Sequence, residues 1–294
     1  MYSSGLLLLN KPSGPTSHNM VDFVRRGTGK RRVGHTGTLD PLASGVLVLC
    51  VGAATRLSEY LVGADKQYRA VVRFGSATDT FDAAGKVTRV APVAFDSDRL
   101  EGAMATFRGK LDQFPPPHSA IKINGRKAYE LARAGDVVAL PARKITIYAL
   151  DLLDWSPPDA TLDIHCSSGT YVRSLAEALG LALGSAAHLA QLTRTRAGRF
   201  RLEQAVAEQT LRGAFAEGTW RDFLIPAADA LPDLPALMLG TEDIQTLKLG
   251  GRLPSAEGNP GLARALAPDG CLVAIVEWVE ALHAYQPRKV FLED

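Results

Sequence analysis

The sequence predicts an α+β fold in which helices pack on a mixed or antiparallel sheet. Alternating apolar and polar residues, typical of half-buried strands, occur at 68–74, 144–150 and 162–166. Helical spacing of apolar residues occurs in four segments, at 17–26, 97–107, 128–134 and 171–183. Because the two kinds of segment do not alternate strictly along the chain, a doubly wound parallel sheet is disfavoured.

The first elements can be placed from the N-terminus. The apolar run at 6–9 is shorter than the roughly 7–15 apolar residues of a secretory signal, so we interpret it as a buried strand. A second buried strand is predicted at 46–51, directly after a loop rich in glycine and proline. The helix at 97–107 has Ser97 or Asp98 as its N-cap, since both residue types cap helices.

The chain of 294 residues is long enough for two domains, or for one large domain with an appendage, at roughly 100–200 residues per domain. The Ala/Pro/Leu-rich stretch 226–235 is typical of a linker. Beyond it, strands are predicted at 272–279 and 289–292. This β-rich module of about 55–60 residues is small for an independent core, so we expect it to lean on the main domain.

Composition narrows the class of protein. Hydrophobic residues make up 46% and charged residues 22% of the chain, which is typical of a soluble globular protein and excludes a disordered or fibrous one. Three widely separated cysteines form no paired motif, so we expect neither disulfides nor a cysteine zinc site, and a reducing cytoplasm fits. The longest uncharged stretches, 41–55 and 178–193, are shorter than the ~20 apolar residues of a membrane helix.

Basic residues are clustered although the formal net charge is only +2. Residues 241–294 contain eight acidic and five basic residues, which leaves 23 acidic and 28 basic residues before them. Three basic clusters lie at 25–32, 108–144 and 194–201, and the arginines of the last are spaced mostly by two, as on one face of a strand. One such cluster is typical of a solvated face, whereas three beside glycine-rich motifs favour a groove for a polyanion.

The segment from Arg32 to Gly45 is the densest candidate site. Its glycines and Pro41 predict a tight loop, and Asp40 lies at the lip of the strand that follows. This carboxylate is either a catalytic group or the cap of a turn, and the spacing alone leaves both open. His35 is either a site residue or a structural histidine, because the chain has no nucleophile elbow for a hydrolase triad and no second histidine at metal-ligand spacing.

Two other motifs do not support a nucleotide or metal site. Gly27 to Lys30 lacks the spacing of a phosphate-binding P-loop, so no ATP site is expected. Asp79 and Asp82 form a carboxylate pair without a third ligand, so we interpret them as part of a turn at a strand end and expect no metal.

Seven segments, taken together, resemble the ordered motifs of the tRNA pseudouridine synthase B (TruB) family. They are 10–17, 34–45, 65–69, 75–85, 119–125, 128–133 and 166–174. The resemblance implies a pseudouridine-synthase-type catalytic domain at 1–235, with a central, mainly antiparallel sheet flanked by helices. It also implies an RNA-gripping thumb at about 115–143, similar to that of bacterial members, and a small β-rich PUA-like RNA-binding domain at 236–294. His118 departs from the family pattern, in which tyrosine is usual.

The resemblance implies an enzyme that isomerises the T-loop uridine at tRNA position 55 to pseudouridine, after flipping it from its stack. The N1–C1′ bond breaks, the uracil turns and C5 bonds to C1′, so no cofactor or metal is required. Asp40 matches the catalytic aspartate, which acts at the sugar. Tyr68 matches a tyrosine that stacks on the uracil and assists loss of the C5 proton, and Arg173 matches an arginine that pairs with the aspartate.

Four more residues are implied to bind substrate. His35 matches a residue that enters the T-loop and occupies the vacated stack, and Leu192 matches an apolar residue that packs against the base. Lys11 and Lys66 belong to the first and third motifs and are expected to contact RNA. Apart from the motifs, each of these residue types is common in a core or on a solvated surface.

The expected partner is tRNA, bound through its T stem-loop by a cytoplasmic monomer that requires no protein partner and no membrane. The competing hypothesis is a non-catalytic tRNA-folding chaperone with the same surfaces, which would not require Asp40, Tyr68 and Arg173 together. A zinc-dependent base deaminase would need H-x-E and P-C-x-x-C motifs, and neither occurs. A DNA-binding factor would carry a helix-turn-helix or zinc module, which the sequence does not show.

Overall fold

A computed structural model describes residues 4–116, 122–123, 126–127 and 141–291. The predicted helix at 128–134, most of the predicted thumb and His118 lie outside these residues. The described helices are α1 (Ser17–Thr28), α2 (Ser58–Val62), α3 (Ser97–Ala105), α4 (Val172–Ala182), α5 (Glu208–Glu217) and α6 (Thr241–Lys248). The described strands are β1 (Gly5–Lys11), β2 (Val33–His35), β3 (Ser44–Val51), β4 (Lys66–Phe74), β5 (Ser76–Thr78), β6 (Val87–Val90), β7 (Gly109–Gln113), β8 (Lys122–Ile123), β9 (Arg126–Lys127), β10 (Arg143–Ser156), β11 (Asp159–Cys166), β12 (Ala187–Ala197), β13 (Phe200–Arg201), β14 (Val206–Ala207), β15 (Leu224–Pro226), β16 (Ala236–Met238), β17 (Leu253–Pro254), β18 (Leu262–Leu266), β19 (Leu272–Val279) and β20 (Ala284–Val290).

Eleven strands form one large sheet. Its main order is β14-β1-β3-β12-β4-β11-β10-β7, and β13, β15 and β2 pair with β12, β1 and β3, respectively. The pairs β1–β14 and β3–β12 are parallel, and the other pairs within this sheet are antiparallel. The predicted fold class, a mixed α/β protein with a central and mainly antiparallel sheet, is therefore confirmed.

Helices cover one face of this sheet. Alternate residues of β4 point into the core, as the twofold period of a strand requires. There they pack against apolar residues of α1, α3, α4 and α5. At the junction of α1 and α5, the rings of Phe23 and Phe215 meet edge to face at 5.2 Å between centroids. The helices thus anchor the strands whose ends carry the candidate site.

The opposite face of β1 and β3 packs against a second sheet. That sheet has the order β16-β18-β19-β20-β17. Leu272 and Ile275 of β19 share a core with Leu6 of β1 and Val46 of β3. Burial on both faces explains why β1 and β3 are continuous apolar runs rather than alternating ones. As expected, the C-terminal module leans on the rest of the chain.

The segment at 226–235 is more ordered than a linker. Pro226 belongs to β15, which pairs with β1, and Ala228 and Ala230 lie in the shared core. Arg264 of β18 donates hydrogen bonds to the carbonyls of Ala228 at 2.7 Å and Leu234 at 2.9 Å. Alanine and leucine are apolar, so this stretch gains from burial between the two sheets.

Two predicted boundaries differ from the structure. The N-cap of α3 is Asp96, whose side chain accepts the Arg99 N–H at 3.0 Å, so the helix starts with Ser97 inside it. The last strand is β20 at Ala284–Val290, earlier than the predicted 289–292, because it pairs with Ala274–Val279 of β19. In the described part of the chain, no helix is both long and apolar enough to cross a membrane.

Candidate active site

The loop from Gly37 to Ala43 carries Asp40 between β2 and β3, and its backbone is held throughout. Each of its carbonyl oxygens accepts a hydrogen bond. From Gly37 to Ala43 the donors are Arg194 Nη2 (3.1 Å), Arg194 Nη1 (3.4 Å), Ser17 Oγ (3.0 Å), Ala43 N (3.0 Å), Gly14 N (2.7 Å), Ser13 Oγ (2.9 Å) and Lys11 Nζ (2.6 Å). The loop therefore presents the Asp40 side chain from a fixed backbone.

Asp40 and Arg173 form a two-point ion pair. Oδ2 of Asp40 lies 2.9 Å from Nε of Arg173, and Oδ1 accepts a hydrogen bond from Nη2 at 3.2 Å. The Arg173 side chain is 7% exposed and that of Asp40 is 36% exposed. Arg173 lies in the first turn of α4, whose packing on the sheet brings it to the loop. The carboxylate thus faces solvent while its counter-charge is buried.

Asp82 is a second carboxylate on Arg173, and the sequence did not single it out as a site residue. Its Oδ2 lies 3.6 Å from Arg173 Nη1, while its Oδ1 accepts the Thr80 hydroxyl at 2.7 Å and the Ala84 N–H at 3.0 Å. These contacts also form the turn that we expected. The only signal in the sequence was its place within the 75–85 motif. In the structure Asp82 is 6% exposed, and a carboxylate that merely ends a strand is seldom buried.

Tyr68 lies in the sheet beside the loop. It pairs with Arg194 of β12 on one side and with Ile164 of β11 on the other. Burial raises the pKa of the Tyr68 hydroxyl, while the positive charge of Arg194 acts in the opposite direction. The charge of Asp40 is a smaller influence that raises this pKa further.

Lys11 and Lys66 are not placed for the direct RNA contact that we expected. Lys11 is 0% exposed, and its ammonium group donates to the carbonyls of Pro12 at 2.8 Å and Ala43 at 2.6 Å. Lys66 donates to Val62 at 2.7 Å and Ala64 at 2.5 Å. Burial lowers the pKa of each lysine to about 8. Because main-chain carbonyls accept the hydrogen bonds of both ammonium groups, each lysine stabilises the backbone next to it.

The other two predicted substrate-binding residues flank the same site. His35 ends β2, and burial followed by the charges of Arg194 and His18 lowers its pKa, which favours the uncharged ring at neutral pH. Leu192 of β12 is buried in the core cluster that contains Tyr68. The structure therefore brings Asp40, Tyr68, Arg173, His35 and Leu192 to one end of the sheet.

The arginine cluster at 194–201 does not form one face of a strand, so that prediction is wrong. A register shift between Arg194 and Arg196 breaks the alternation, and β12 ends at Ala197. Arg194 is 2% exposed, whereas Arg199 and Arg201 are exposed. Within the cluster at 25–32, by contrast, Arg26, Arg31 and Arg32 are exposed.

The arrangement suits chemistry at an electron-poor carbon. A half-exposed carboxylate, fixed by a buried guanidinium, can approach a sugar carbon that becomes positive as its base departs. A phenol beside it can stack on a planar base and move a proton. In the described residues, no group of three or more metal-ligating side chains gathers.

Comparisons with known proteins agree with this geometry. Residues 25–172 match the TruB family pseudouridylate synthase N-terminal domain, and residues 173–231 match the tRNA pseudouridylate synthase B C-terminal domain. A protein of Thiobacillus denitrificans named tRNA pseudouridine synthase B is 44% identical over 273 residues, 93% of this chain and 91% of its own. A protein of the same name from Pseudomonas aeruginosa is 48% identical over 239 residues, 80% of this chain and 79% of its own.

Among solved structures, a chain from the crystal structure of a Cbf5-Nop10-Gar1 complex superposes with a TM-score of 0.73 at 25% identity. The superposition covers 99% of this chain and 85% of that one. The family matches and the curated relatives span both the strands and the loop that assemble the site. The chain belongs to the TruB family of pseudouridine synthases, enzymes that isomerise uridine within RNA.

Proposed function

We propose that the protein converts the T-loop uridine at position 55 of tRNA to pseudouridine, with Asp40 as the catalytic residue and without a cofactor. The observation that carries this proposal is the half-exposed Asp40 carboxylate, held at two points by Arg173 on a loop whose carbonyls are all bonded. The relatives named tRNA pseudouridine synthase B support tRNA as the substrate.

The target nucleotide must leave its stack, because C1′ and C5 of a stacked uridine are not accessible to a side chain. Flipping requires a few kcal/mol. The neutral ring of His35 is suited to fill the vacated stack, and Leu192 offers an apolar surface for the base. Phosphates on either side would meet exposed arginines, of which Arg26 and Arg31 lie just before β2.

In the reaction, the N1–C1′ bond breaks and the carboxylate of Asp40 acts at the sugar, by attack at C1′ or by removal of a C2′ proton. The uracil turns and C5 bonds to C1′, which either releases the Asp40 carboxylate from C1′ or is accompanied by return of the proton from Asp40 to C2′. The C5 proton then leaves, with the Tyr68 hydroxyl assisting its transfer. N1 ends with a proton, so the product is an isomer of the substrate. Each step uses groups that the chain itself supplies.

The domain assignment also remains a proposal. Residues 1–235 would form the catalytic domain, and residues 236–294 would form a PUA-like RNA-binding domain. The separate second sheet supports this division, and the excess of acidic residues in 241–294 limits its RNA contacts to a local surface.

The test is tritium release from 5-tritiated uridine in a tRNA transcript, with wild type, Asp40→Asn and the control Asp98→Asn on the exposed side of α3. We expect wild type and Asp98→Asn to release tritium equally, and Asp40→Asn to release none while it still binds tRNA. A transcript with cytidine at position 55 should release nothing. Turnover by Asp40→Asn would remove Asp40 from the mechanism, and binding by wild type without release would favour the chaperone hypothesis.

A further inference from the structure

The first turn of α4 is attached to β7, the last strand in the order of the large sheet. Gln113 ends β7, and its side-chain amide spans both main-chain groups of Tyr171. Its Oε1 accepts the Tyr171 N–H at 2.8 Å, and its Nε2 donates to the Tyr171 carbonyl at 3.0 Å. Because hydrogen bonds are directional, these two bonds, here called the clamp, fix the orientation of the Tyr171 backbone as well as its place.

Tyr171 is the residue at which α4 begins. It is the N-cap, and its carbonyl accepts the first helical hydrogen bond, from the Leu175 N–H at 3.2 Å. Among the described residues, its side chain makes no capping bond to the helix. A serine or aspartate at this position would fix the helix start by itself, so here that task falls to a group outside the helix. The clamp is such a group.

The residue on the other side of Arg173 is held by the same strand end. Ser174 is 8% exposed, and its Oγ donates to the carbonyl of Phe114 at 2.8 Å. The turn before the helix has its own anchor, since Ser167 and Thr146 of β10 exchange two hydrogen bonds at 2.8 and 2.9 Å. Loss of the clamp should therefore move the start of α4 without detaching this turn.

The Arg173 guanidinium must be placed accurately, because its partners come from separate elements. It meets Asp40 at 2.9 and 3.2 Å, donates from Nη1 to the Thr80 carbonyl at 3.1 Å and lies 3.6 Å from Asp82. Asp40 belongs to the loop before β3, whereas Thr80 and Asp82 belong to the turn between β5 and β6. A misplacement of about 1 Å in such a site can slow a reaction roughly 100-fold. The start of α4 is therefore a point at which the reaction rate can be set.

We propose that Gln113 is a positioning residue, which holds the Tyr171 main chain and thereby places the Arg173 guanidinium against Asp40. The role rests on the proposed function, in which the Asp40 carboxylate acts at the sugar. Gln113 acts through the first turn of α4, without contact with the substrate. The geometry of the ion pair would thus depend on a neutral amide at the end of β7.

A double-mutant cycle tests this coupling. Single-turnover isomerisation of a tRNA transcript, at saturating enzyme, is measured for Gln113→Ala in the wild-type and Arg173→Lys backgrounds. We expect a loss of roughly 10- to 100-fold in the wild-type background and of less than about threefold in Arg173→Lys. The reason is that lysine holds Asp40 by one nitrogen on a flexible stem, so it depends less on where the helix starts. Equal losses in both backgrounds, or none in either, would overturn the proposal.

Two further variants separate hydrogen bonding from packing. Methionine fills nearly the same volume as glutamine but makes neither bond of the clamp, so we expect Gln113→Met to react as slowly as Gln113→Ala. Gln245→Ala, exposed on α6, is the matched control and should keep the wild-type rate. A Gln113→Met rate near that of wild type would show that only packing matters and would overturn the proposal.

Affinity for tRNA separates positioning from an effect on RNA binding, because Phe114 leads into the predicted thumb. We expect the dissociation constants of Gln113→Ala and Gln113→Met to stay within about twofold of wild type. Weaker binding with an unchanged rate at saturation would place Gln113 in RNA binding and would contradict the proposed role.

A spectroscopic measurement does not depend on activity. In protein labelled with ¹⁵N in arginine, the Arg173 Nε–H signal is identified by its absence from Arg173→Lys. We expect this signal to move or broaden in Gln113→Met and to stay in place in Gln245→Ala. An unmoved signal in Gln113→Met would overturn the proposal. If the wild type released no tritium from tRNA, the proposed function would fail, while this signal would still decide whether Gln113 positions Arg173.

Discussion

Asp40 and Arg173 are 133 residues apart in the sequence, and their side chains meet through two nitrogen–oxygen contacts at 2.9 and 3.2 Å. The carboxylate comes from a loop between strands and the guanidinium from the first turn of a helix, so neither element could hold the pair alone. The large sheet fixes the position of the Asp40 loop, because β3, the strand that follows this loop, is paired in parallel with β12.

We predict that the two-nitrogen geometry of the Arg173 guanidinium contributes more to the reaction rate than its positive charge does. Arg173→Lys keeps a cation but cannot make both contacts with Asp40. We expect the single-turnover rate to fall roughly 30- to 150-fold, as for the loss of about 2–3 kcal/mol from a hydrogen bond to a charged group. Arg99→Lys on α3 is the control. A rate within threefold of wild type would show that the second contact is dispensable.

Asp82 is predicted to position Arg173. Asp82→Asn removes the negative charge at 3.6 Å from Nη1, and we expect a tenfold-order loss of rate with unchanged tRNA affinity. Asp79→Asn in the same turn is the matched control, since Asp79 is exposed and its Oδ1 accepts the Lys86 N–H, a bond that asparagine retains. Equal rates for the two variants would contradict this role.

Stability is predicted to depend on pH through the buried lysines. The pKa of Lys66 is about 8 in the folded state against 10.5 for an ordinary lysine. Between these values the unfolded chain binds the proton and the folded chain does not, so folding gains stability as pH rises. Relative to Lys66→Met, the wild type should gain up to about 3 kcal/mol from pH 8 to 10.5.

Urea unfolding at three pH values measures this difference. Comparison with Lys66→Met isolates the contribution of one group, because burial raises the pKa values of Cys50 and Cys166 and their effect on stability runs in the opposite direction. A difference in free energy of unfolding that stays constant over this range would show that Lys66 keeps an ordinary pKa.

Gly45 is predicted to be irreplaceable for structural reasons. Its φ is +106°, and a Cβ there would lie 2.6 Å from the Arg194 amide nitrogen, where β3 and β12 approach each other. Gly45→Ala should therefore destabilise the protein by about 2–4 kcal/mol. Gly63→Ala, at a position with open space and negative φ, should leave the unfolding midpoint within a degree or two. Thermal unfolding compares both.

The exposed arginines before β2 are predicted to contact phosphates. Arg26→Gln and Arg31→Gln should weaken tRNA binding, and each should reduce the slope of log K against log salt by about 0.7–0.9. Arg99→Gln, far along the chain on α3, should leave the slope unchanged. Titrations at three salt concentrations give the slopes, and slopes equal to that of wild type would exclude these two arginines from the RNA interface.

Much of the fold could be predicted from periodicity, and the main residues of the site from motifs. The strands at 68–74 and 162–166 and the helix at 171–183 are confirmed with small shifts, because each has one buried face and a regular pattern. Motif order singled out Asp40, Tyr68 and Arg173, and the structure pairs the first with the last.

The errors share a physical cause. Lys11 and Lys66 were expected to contact RNA, and Arg194 to lie on one face of a strand with the other arginines, whereas all three side chains are buried. Their partners are main-chain carbonyls, which no side-chain pattern displays, and those of Arg194 lie more than 140 residues away. A β-bulge at β12 removed the alternation on which the prediction for the arginines relied. Whether a cation is buried thus depends on main-chain carbonyls that come next to it only when the chain folds.

The core shared by the two sheets bears on how the chain is made. The buried cluster that covers Leu6 and Val46 includes Leu272 and Ile275, and Leu272 follows the end of β3 at Val51 by 221 residues. At 5–20 residues per second, a ribosome needs roughly 10–45 s to deliver that cover. Throughout this interval the nascent strands display an uncovered apolar surface, which makes them a target for chaperones and the point where aggregation during expression begins.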